Sequence, residues 1–572
     1  MRLELPALSR VLISLVALGL GGGCDRWSPE AKTPSTEVPS SIDAIKPPPP
    51  LPFVERARSL GIDFSYSSGA EVDLCTMVES LGGGVAWFDY DRDGWEDLAA
   101  AGGGQLAPQS ISGLPCQLFR NLQGERFEAV GKQAGIESAE LYTHGIAVGD
   151  YDNDGFPDFL VTGYGAPQLW HNLGDGTFQE VASAAGIVDE RWSSSAGWAD
   201  VNRDGFLDVY IAHYVDWSFE NHPVCIAPDG KTRETCPPRN FSPVPHVLYL
   251  GRGDGTFEDV SAQAGLRHDG KGLGVLLFDA DVDGDVDIYV ANDTTDNFLY
   301  INDGQGHFSE EALARGAALD DQGMPNGSMG VDLCDFNSDG RPDLWVANYE
   351  REAFALYRND GTGHYLHVSQ RFGITDLGGL FVGFGTACED FDADGDTDMV
   401  VANGHVIKYP TASPRRQLPL LLLFDGKRFR RRPAPPGEYF GQPHEGRGLA
   451  TADFDRDGDL DIAISQLNEP IALLENQFHE QNHWIEVQLI GIRSNRDAVG
   501  ARVELKTDGK TFVRQITGGA SYLSHSSRIL HFPLPDQSLP RTLKVYWPAG
   551  SMQSVEATSL DGRVTLVEPE PE

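Results

Sequence analysis

Asp89 to Asp97 reads DYDRDGWED, and six later segments repeat its spacing of Asp-x-Asp/Asn-x-Asp-Gly-x-x-Asp. They are DYDNDGFPD from Asp150, DVNRDGFLD from Asp200, DADVDGDVD from Asp279, DFNSDGRPD from Asp335, DFDADGDTD from Asp390 and DFDRDGDLD from Asp453. Carboxylates at alternate positions of a tight loop suit a hard cation, since calcium takes roughly six to eight oxygen ligands. Glycine at the sixth position supplies the positive φ that such a turn needs. Seven copies exclude a chance acidic loop.

Position by position, the expected ligands are side-chain oxygens at one, three, five and nine and the backbone carbonyl at seven. The first loop offers Asp89, Asp91, Asp93 and Asp97 with the Trp95 carbonyl, and the second Asp150, Asp152, Asp154 and Asp158 with Phe156. The third offers Asp200, Asn202, Asp204 and Asp208 with Phe206, and the fourth Asp279, Asp281, Asp283 and Asp287 with Asp285. The fifth offers Asp335, Asn337, Asp339 and Asp343 with Arg341, and the sixth Asp390, Asp392, Asp394 and Asp398 with Asp396. The seventh offers Asp453, Asp455, Asp457 and Asp461 with Asp459. Asn202 and Asn337 each remove one charge, so those two sites are expected to be weaker. Without metal the crowded carboxylates repel one another, so about seven calcium ions are expected in a structural role.

An EF-hand shares the opening of this loop but needs a bidentate Glu at position twelve. Position twelve is Ala100, Val161, Ile211, Val290, Val346, Val401 and Ile464, apolar in every copy. The runs that follow (LAAAG, FLVTG, VYIAH, IYVAN, LWVAN, MVVAN, IAISQ) are short, apolar and rich in β-branched residues, the pattern of buried strands. Each loop therefore joins two strands. Hairpin signals such as LWHNLGDGTF and LYINDGQGHF come next. The loops recur at intervals of 50 to 79 residues, room for about four strands, the size of a propeller blade. The seventh unit ends at Asn476 without its last hairpin strand, and FVERARSLGI (Phe53–Ile62) is the missing piece. An N-terminal strand completing the last of seven blades would close a ring and remove two sheet edges.

The formal net charge is −41, and seven divalent ions would leave a large negative excess. Such a surface argues against nucleic acid and anionic membrane as partners, since both select basic patches. The chain opens with Arg2, Arg10, the apolar run VLISLVALGL and GGGC ending at Cys24. That is an export signal (1–24), too short for a spanning helix. Cys24 resembles the lipidated cysteine of a bacterial lipoprotein, the only membrane attachment expected. Residues 25–50 form a Pro/Ser/Thr-rich tether. Cys225 and Cys236 bracket an insertion in the longest interval and are expected to form a disulfide. Cys75 and Cys116 flank the first loop as a second possible pair; Cys334 and Cys388 are buried thiols or a bridge.

Beyond the repeats, NHWIEVQLIG from Asn482, SNRDAVGARV from Ser494, GGASYLSHSS from Gly518 and VYWPAG from Val545 carry a sharper signature. With GGGVAWFDYDRDG and VANDTTDNFLY in the repeats, the chain resembles a bacterial member of the cartilage acidic protein family, in which FG-GAP/VCBS-type propeller repeats precede an ASPIC/UnbV domain. The resemblance implies an all-β, extracytoplasmic, calcium-binding protein: a seven-bladed propeller over 51–480 and the ASPIC/UnbV domain over 481–569. It implies no reaction. Read from its own alternation, residues 481–569 form short strands of a small antiparallel sandwich.

The functional expectation is a non-catalytic adhesion module, exported to the periplasm or cell surface, with one propeller face turned to a protein or glycan. The 216–245 insertion, with Tyr214, Trp217 and Phe219 near it, and the 405–420 stretch are the candidate contact segments. The alternatives are a polysaccharide-active hydrolase or lyase, for which His144, His213, His405 and His444 are the available acid–base groups, and a periplasmic assembly scaffold. GxSxG and CxxC motifs are absent from the sequence, and no catalytic residue is assigned.

Overall fold

The computed structural model describes residues 50–478, 483–535, 539–557 and 560–570. The expected signal with Cys24, and all of the expected tether but its last residue, lie outside the described residues.

Seven four-stranded antiparallel sheets account for the repeats. The first pairs Val85–Phe88, Asp97–Ala100, Gln117–Asn121 and Phe127–Ala129 in that order. In every sheet the aspartate loop is the turn from first to second strand, and the second strand begins at loop position nine: Asp97, Asp158, Asp208, Asp287, Asp343, Asp398 and Asp461. The first strands pack side by side around the ring, from Val85–Phe88 through Tyr142–Gly149, Ser193–Ala199, Gly272–Phe278, Ser328–Cys334 and Gly383–Glu389 to Gly446–Ala452, which returns to Val85–Phe88. Phe53–Glu55 pairs antiparallel with Glu469–Asn476, Phe53 opposite Asn476, so the start of the described chain finishes the last sheet. Fully buried tryptophans tie neighbours together. The indole N–H of Trp87 donates to the Ala450 carbonyl (3.3 Å) and that of Trp198 to the Ala147 carbonyl (3.1 Å).

The C-terminal region forms two sheets, Leu530–Leu534/His483–Ile490/Gly562–Val567 and Thr511–Gln515/Arg502–Thr507/Pro540–Tyr546/Met552–Glu556. It departs from the antiparallel expectation in one pair: His483–Ile490 runs parallel to Gly562–Val567. The cause is the connection, because Met552–Glu556 belongs to the other sheet and the chain must cross over rather than turn back in a hairpin.

The connection between these sheets is the least expected element. Residues 518–527 thread the propeller axis and bond to all seven inner strands. Gly518 exchanges both backbone hydrogen bonds with Leu277, and Ser521 does so with Val331. The Ile146 N–H donates to the Leu523 carbonyl, and the Leu523 N–H donates to Ser195 Oγ (3.1 Å). His525 pairs with Val85 and Trp87, the Thr386 N–H donates to Ser521 Oγ, and the Ser527 N–H donates to the Thr451 carbonyl. Inner strands of a propeller carry backbone groups on a free edge. Here the plug satisfies them, which buried polar groups require. Ser521 and Leu523 adopt left-handed φ values of 60° and 56° to make the turns.

The Cys225–Cys236 disulfide is present, with Cα atoms 5.3 Å apart. Cys75 and Cys116 do not pair: both are free and buried. The Cys75 thiol points at the Arg233 carbonyl (3.7 Å), while burial pushes the Cys116 thiol up to about 12. Cys334 and Cys388 are also free and buried.

Candidate metal centres and the face opposite them

Each loop winds its backbone so that the alternate carboxylates converge. Glycine at position six has positive φ in all seven copies, and so does the residue at position four: Arg92, Asn153, Arg203, Val282, Ser338, Ala393 and Arg456, at φ 54–62°. Left-handed backbone at non-glycine residues, above all β-branched Val282, costs about 1 kcal/mol or more. Sequence spacing gave no sign of it.

The position-one carboxylate accepts the position-six N–H, as in Asp89 with Gly94 (2.8 Å) and Asp453 with Gly458 (3.0 Å). Position five makes a local turn, Asp93 Oδ1 accepting the Trp95 N–H. Position nine is buried and also staples the blade. Asp97 Oδ2 accepts the Tyr90 N–H (3.1 Å) and Oδ1 the Asn121 N–H (2.7 Å). Asp461 does the same with Phe454 and Asn476.

Side-chain oxygens of Asp89, Asp91 and Asp97, of Asp150, Asp152 and Asp154, of Asp279, Asp281 and Asp287, and of Asp390, Asp392 and Asp398 lie within 4.8 Å of one another in each group. These clusters can hold a metal ion. Asp89 Oδ1, Asp150 Oδ1 and Asp343 Oδ2 are buried without a hydrogen-bond partner, and the donors are hard oxygens, the set that calcium, magnesium or manganese prefers. Burial first and neighbouring carboxylates next push Asp89 up to about 6, Asp279 to about 7 and Asp398 to about 9. A bound cation removes that penalty. His171, missed in the sequence because it lies on the third strand, joins the second loop, with Nδ1 3.2 Å from Asp158 Oδ1 and 3.5 Å from Asp152 Oδ2. Arg120 contacts Asp91 (2.7 Å) and Asp93 (3.3 Å) at the edge of the first loop.

The C-terminal sheets sit on these loops. Arg563 donates to the Gly94 carbonyl, Asp497 accepts the Asp150 N–H, and Gln515 bonds both backbone groups of Asp279. Lys510 reaches Gly395 and Asp396, and His531 Nε2 donates to the Gly458 carbonyl (2.8 Å). Val513 packs over Gly340. Gly205 lies so close to the Arg493 carbonyl that an added Cβ would meet it at 2.7 Å. All seven loops are thus contacted by one domain.

The opposite face is built from the far ends of the same strands. A cavity of about 650 Å³ opens there, floored by Leu273, Met329 and Phe384. Phe384 rests on plug residue Tyr522, ring centroids 4.9 Å apart. The 216–245 insertion and the 405–420 stretch meet at this cavity through residues such as Glu234 and Tyr409. Tyr214 and Trp217 are buried and Trp217 packs edge-on against Phe219; they form the wall behind the cavity rather than an exposed platform. The four histidines belong to four different blades, each with its own partner. His144 lies 3.3 Å from the Tyr66 hydroxyl, with burial pushing it down to about 3. His213 is held by Asp189 (3.0 Å), His405 lies 3.5 Å from Glu350, and His444 pairs with Glu469 (3.1 Å) and stacks on Tyr439. No helix among the described residues is long and apolar enough to cross a membrane.

The FG-GAP-like repeat family matches residues 89–161, 150–211, 279–346, 335–401 and 390–464, which together span more than half of the chain and include all seven loops. The ASPIC and UnbV family matches residues 491–572. Cartilage acidic protein 1 of Xenopus tropicalis is 26% identical over 476 residues, covering 72% of this chain and 71% of its own length. The Mus musculus protein of the same name is 25% identical over 494 residues, covering 75% and 74%, and the Homo sapiens protein 25% over 479 residues, covering 73% and 70%.

Proposed function

We propose that this chain, which belongs to the FG-GAP-like repeat family with a C-terminal ASPIC and UnbV domain, is a non-catalytic binding module stiffened by calcium. The observation that carries the reading is the division of the propeller's two ends. The loops lie beneath the C-terminal domain, where an ion has a structural task, while the other end offers a cavity of ligand size. Calcium would be held by the carboxylates at positions one, three, five and nine, supplying the positive charge that the buried oxygens lack. No step of a reaction is needed.

An extracellular-type site binding at about 10⁻⁴ M contributes roughly 1.4 kcal/mol at about 1 mM calcium. Seven such sites sum to roughly 10 kcal/mol, the scale of a whole domain's stability. The partner is a protein or glycan held at the open face. The Cys225–Cys236 disulfide fits an oxidising compartment and supports export to the periplasm or cell surface.

Calorimetric titration of the full chain with calcium, combined with thermal melts in calcium and in chelator, tests the metal reading. Near-sevenfold stoichiometry and a large drop in Tm on chelation are expected; an unchanged Tm overturns it. A screen of glycans and exported proteins, run on wild type and on a variant with the cavity filled by Leu273→Trp, tests the binding face. Equal capture by both would move the ligand elsewhere.

A further inference from the structure

The cavity on the open face has a wall of unusual chemistry for an apolar floor. Asp293, Glu350 and Glu352 line it beside Tyr214, Tyr349 and Tyr409. Asp293 Oδ2 accepts the Tyr214 hydroxyl at 2.5 Å, Glu352 Oε2 accepts the Gly327 N–H at 2.8 Å, and Glu350 Oε2 accepts the Ser413 hydroxyl at 2.9 Å. Among the described residues no lysine or arginine forms an ion pair with any of these three carboxylates, and the basic group beside Glu350 is His405, at 3.5 Å. Arg239 lies on the rim and is exposed. Lys271 donates its ammonium to the Pro238 carbonyl (2.8 Å) and also acts on Asp293, and the buried Arg447 guanidinium stacks over the Phe384 ring, 4.0 Å from its centroid. With Glu234, four carboxylates therefore line a partly enclosed space, and Glu350 and Glu352 face it without a lysine or arginine ion pair.

We propose that this cavity binds an alkylammonium group on an apolar stem, its charge set against Asp293, Glu350 and Glu352 and the tyrosine rings. The inference rests on the open face being the binding face. Aromatic faces attract cations through their quadrupoles, and an ion pair strengthens as water is excluded from it. The methylenes of the stem lie on Leu273, Met329 and Phe384, where burying each CH₂ is favourable. An aquated metal ion would gain nothing from that floor. Burial pushes Asp293 up to about 6 despite Lys271 nearby, and Glu352 up to about 7, so a further cation in the cavity would be favoured. The ammonium can come from a free aliphatic amine or from a lysine side chain of a partner protein.

The test is calorimetric titration of the full calcium-loaded chain with n-butylammonium, with Nα-acetyl-lysine methylamide, with 1-butanol and with butyrate. Saturable one-to-one binding of an amine, at least about tenfold tighter than the neutral and anionic analogues, is expected from charge-assisted contacts. Tighter binding of the lysine derivative points to a protein-borne ligand, and tighter binding of butylammonium to a free amine. Glu352→Gln is expected to weaken amine binding about tenfold and Tyr409→Ala about threefold, both with calcium stoichiometry unchanged. If a variant fails to fold, the analogue series decides alone. Amines that bind no better than butanol overturn the assignment. If a partner is still captured by wild type and lost from Leu273→Trp, the binding-face reading survives that failure; if capture is the same for both, it falls too.

Discussion

The two ends of this propeller are made by the same strands and do opposite things. At one end seven acidic loops are gathered under a second domain, and backbone groups from Gly94 to Gly458 are engaged by its side chains. At the other end the turns lengthen into an insertion held by a disulfide, and a cavity of about 650 Å³ remains open. Repetition is strict where a common partner must be met seven times. It is relaxed at the other end, where no domain makes a contact repeated from blade to blade. The loop end is therefore the frame, and variation is tolerated at the cavity end, as surface loops on a rigid scaffold allow.

The sharpest way to break this contrast is to remove the covering domain. A chain ending at residue 478 loses every hydrogen bond of the 518–527 plug, each worth about 1 kcal/mol, so a loss on the order of 10 kcal/mol is expected. Calorimetry and gel filtration should find it unfolded or aggregated; a truncated chain melting with the full-length protein would show that the frame stands alone. Next comes a single buried staple. Asp97→Ala strands the N–H groups of Tyr90 and Asn121 and should cost about 3–5 kcal/mol even in chelator, whereas exposed Asp93→Ala should cost under about 1 kcal/mol there. Denaturant titration separates them, and equal losses would contradict the dual role of position nine.

A smaller effect is expected from pH. His531 is fully buried at the loop end, and burial first, then Arg514, hold it down at about 4 despite its hydrogen bond to Gly458. Between that value and the ordinary 6.5 the unfolded chain binds a proton that the folded chain refuses. Stability from this group is thus complete above about pH 6.5 and declines as pH falls, by about 2 kcal/mol near pH 5. His531→Gln should flatten that part of the pH–stability curve; an unaltered slope would clear His531 of it. Least of all, Tyr409→Ala at the cavity end should move stability by under about 0.5 kcal/mol, and a larger shift in denaturant midpoint would mean that the cavity is part of the frame.

Much of the loop end was legible. Alternating aspartates, a glycine at position six and an apolar position twelve identify a loop between strands, and FVERARSLGI has the phase of the piece the last sheet lacks. The plug was not, because Gly518, Ser521 and Leu523 act mainly through backbone N–H and carbonyl groups, which leave no mark on residue type. For the same reason GGASYLSHSS gives no sign that it threads the axis. The left-handed residues at position four are of five types, three of the seven being arginine, so no turn-forming residue type betrays them. At the cavity end, Asp293, Tyr349 and Val406 each follow shortly after a second strand. Their convergence depends on ring closure, which brings together positions more than 100 residues apart in sequence.

Threading the axis with residues 518–527 also sets a schedule for biogenesis. A growing chain offers its N-terminal segments first, yet Phe53–Glu55 must wait for Glu469–Asn476, and the inner strands from Val85 onward must wait for the plug. Blades made early keep their inner edges open until residues 518–527 have been synthesised. Contacts this distant in sequence make folding slow, so the newly made protein passes through an interval in which those edges are exposed to proteases and to one another.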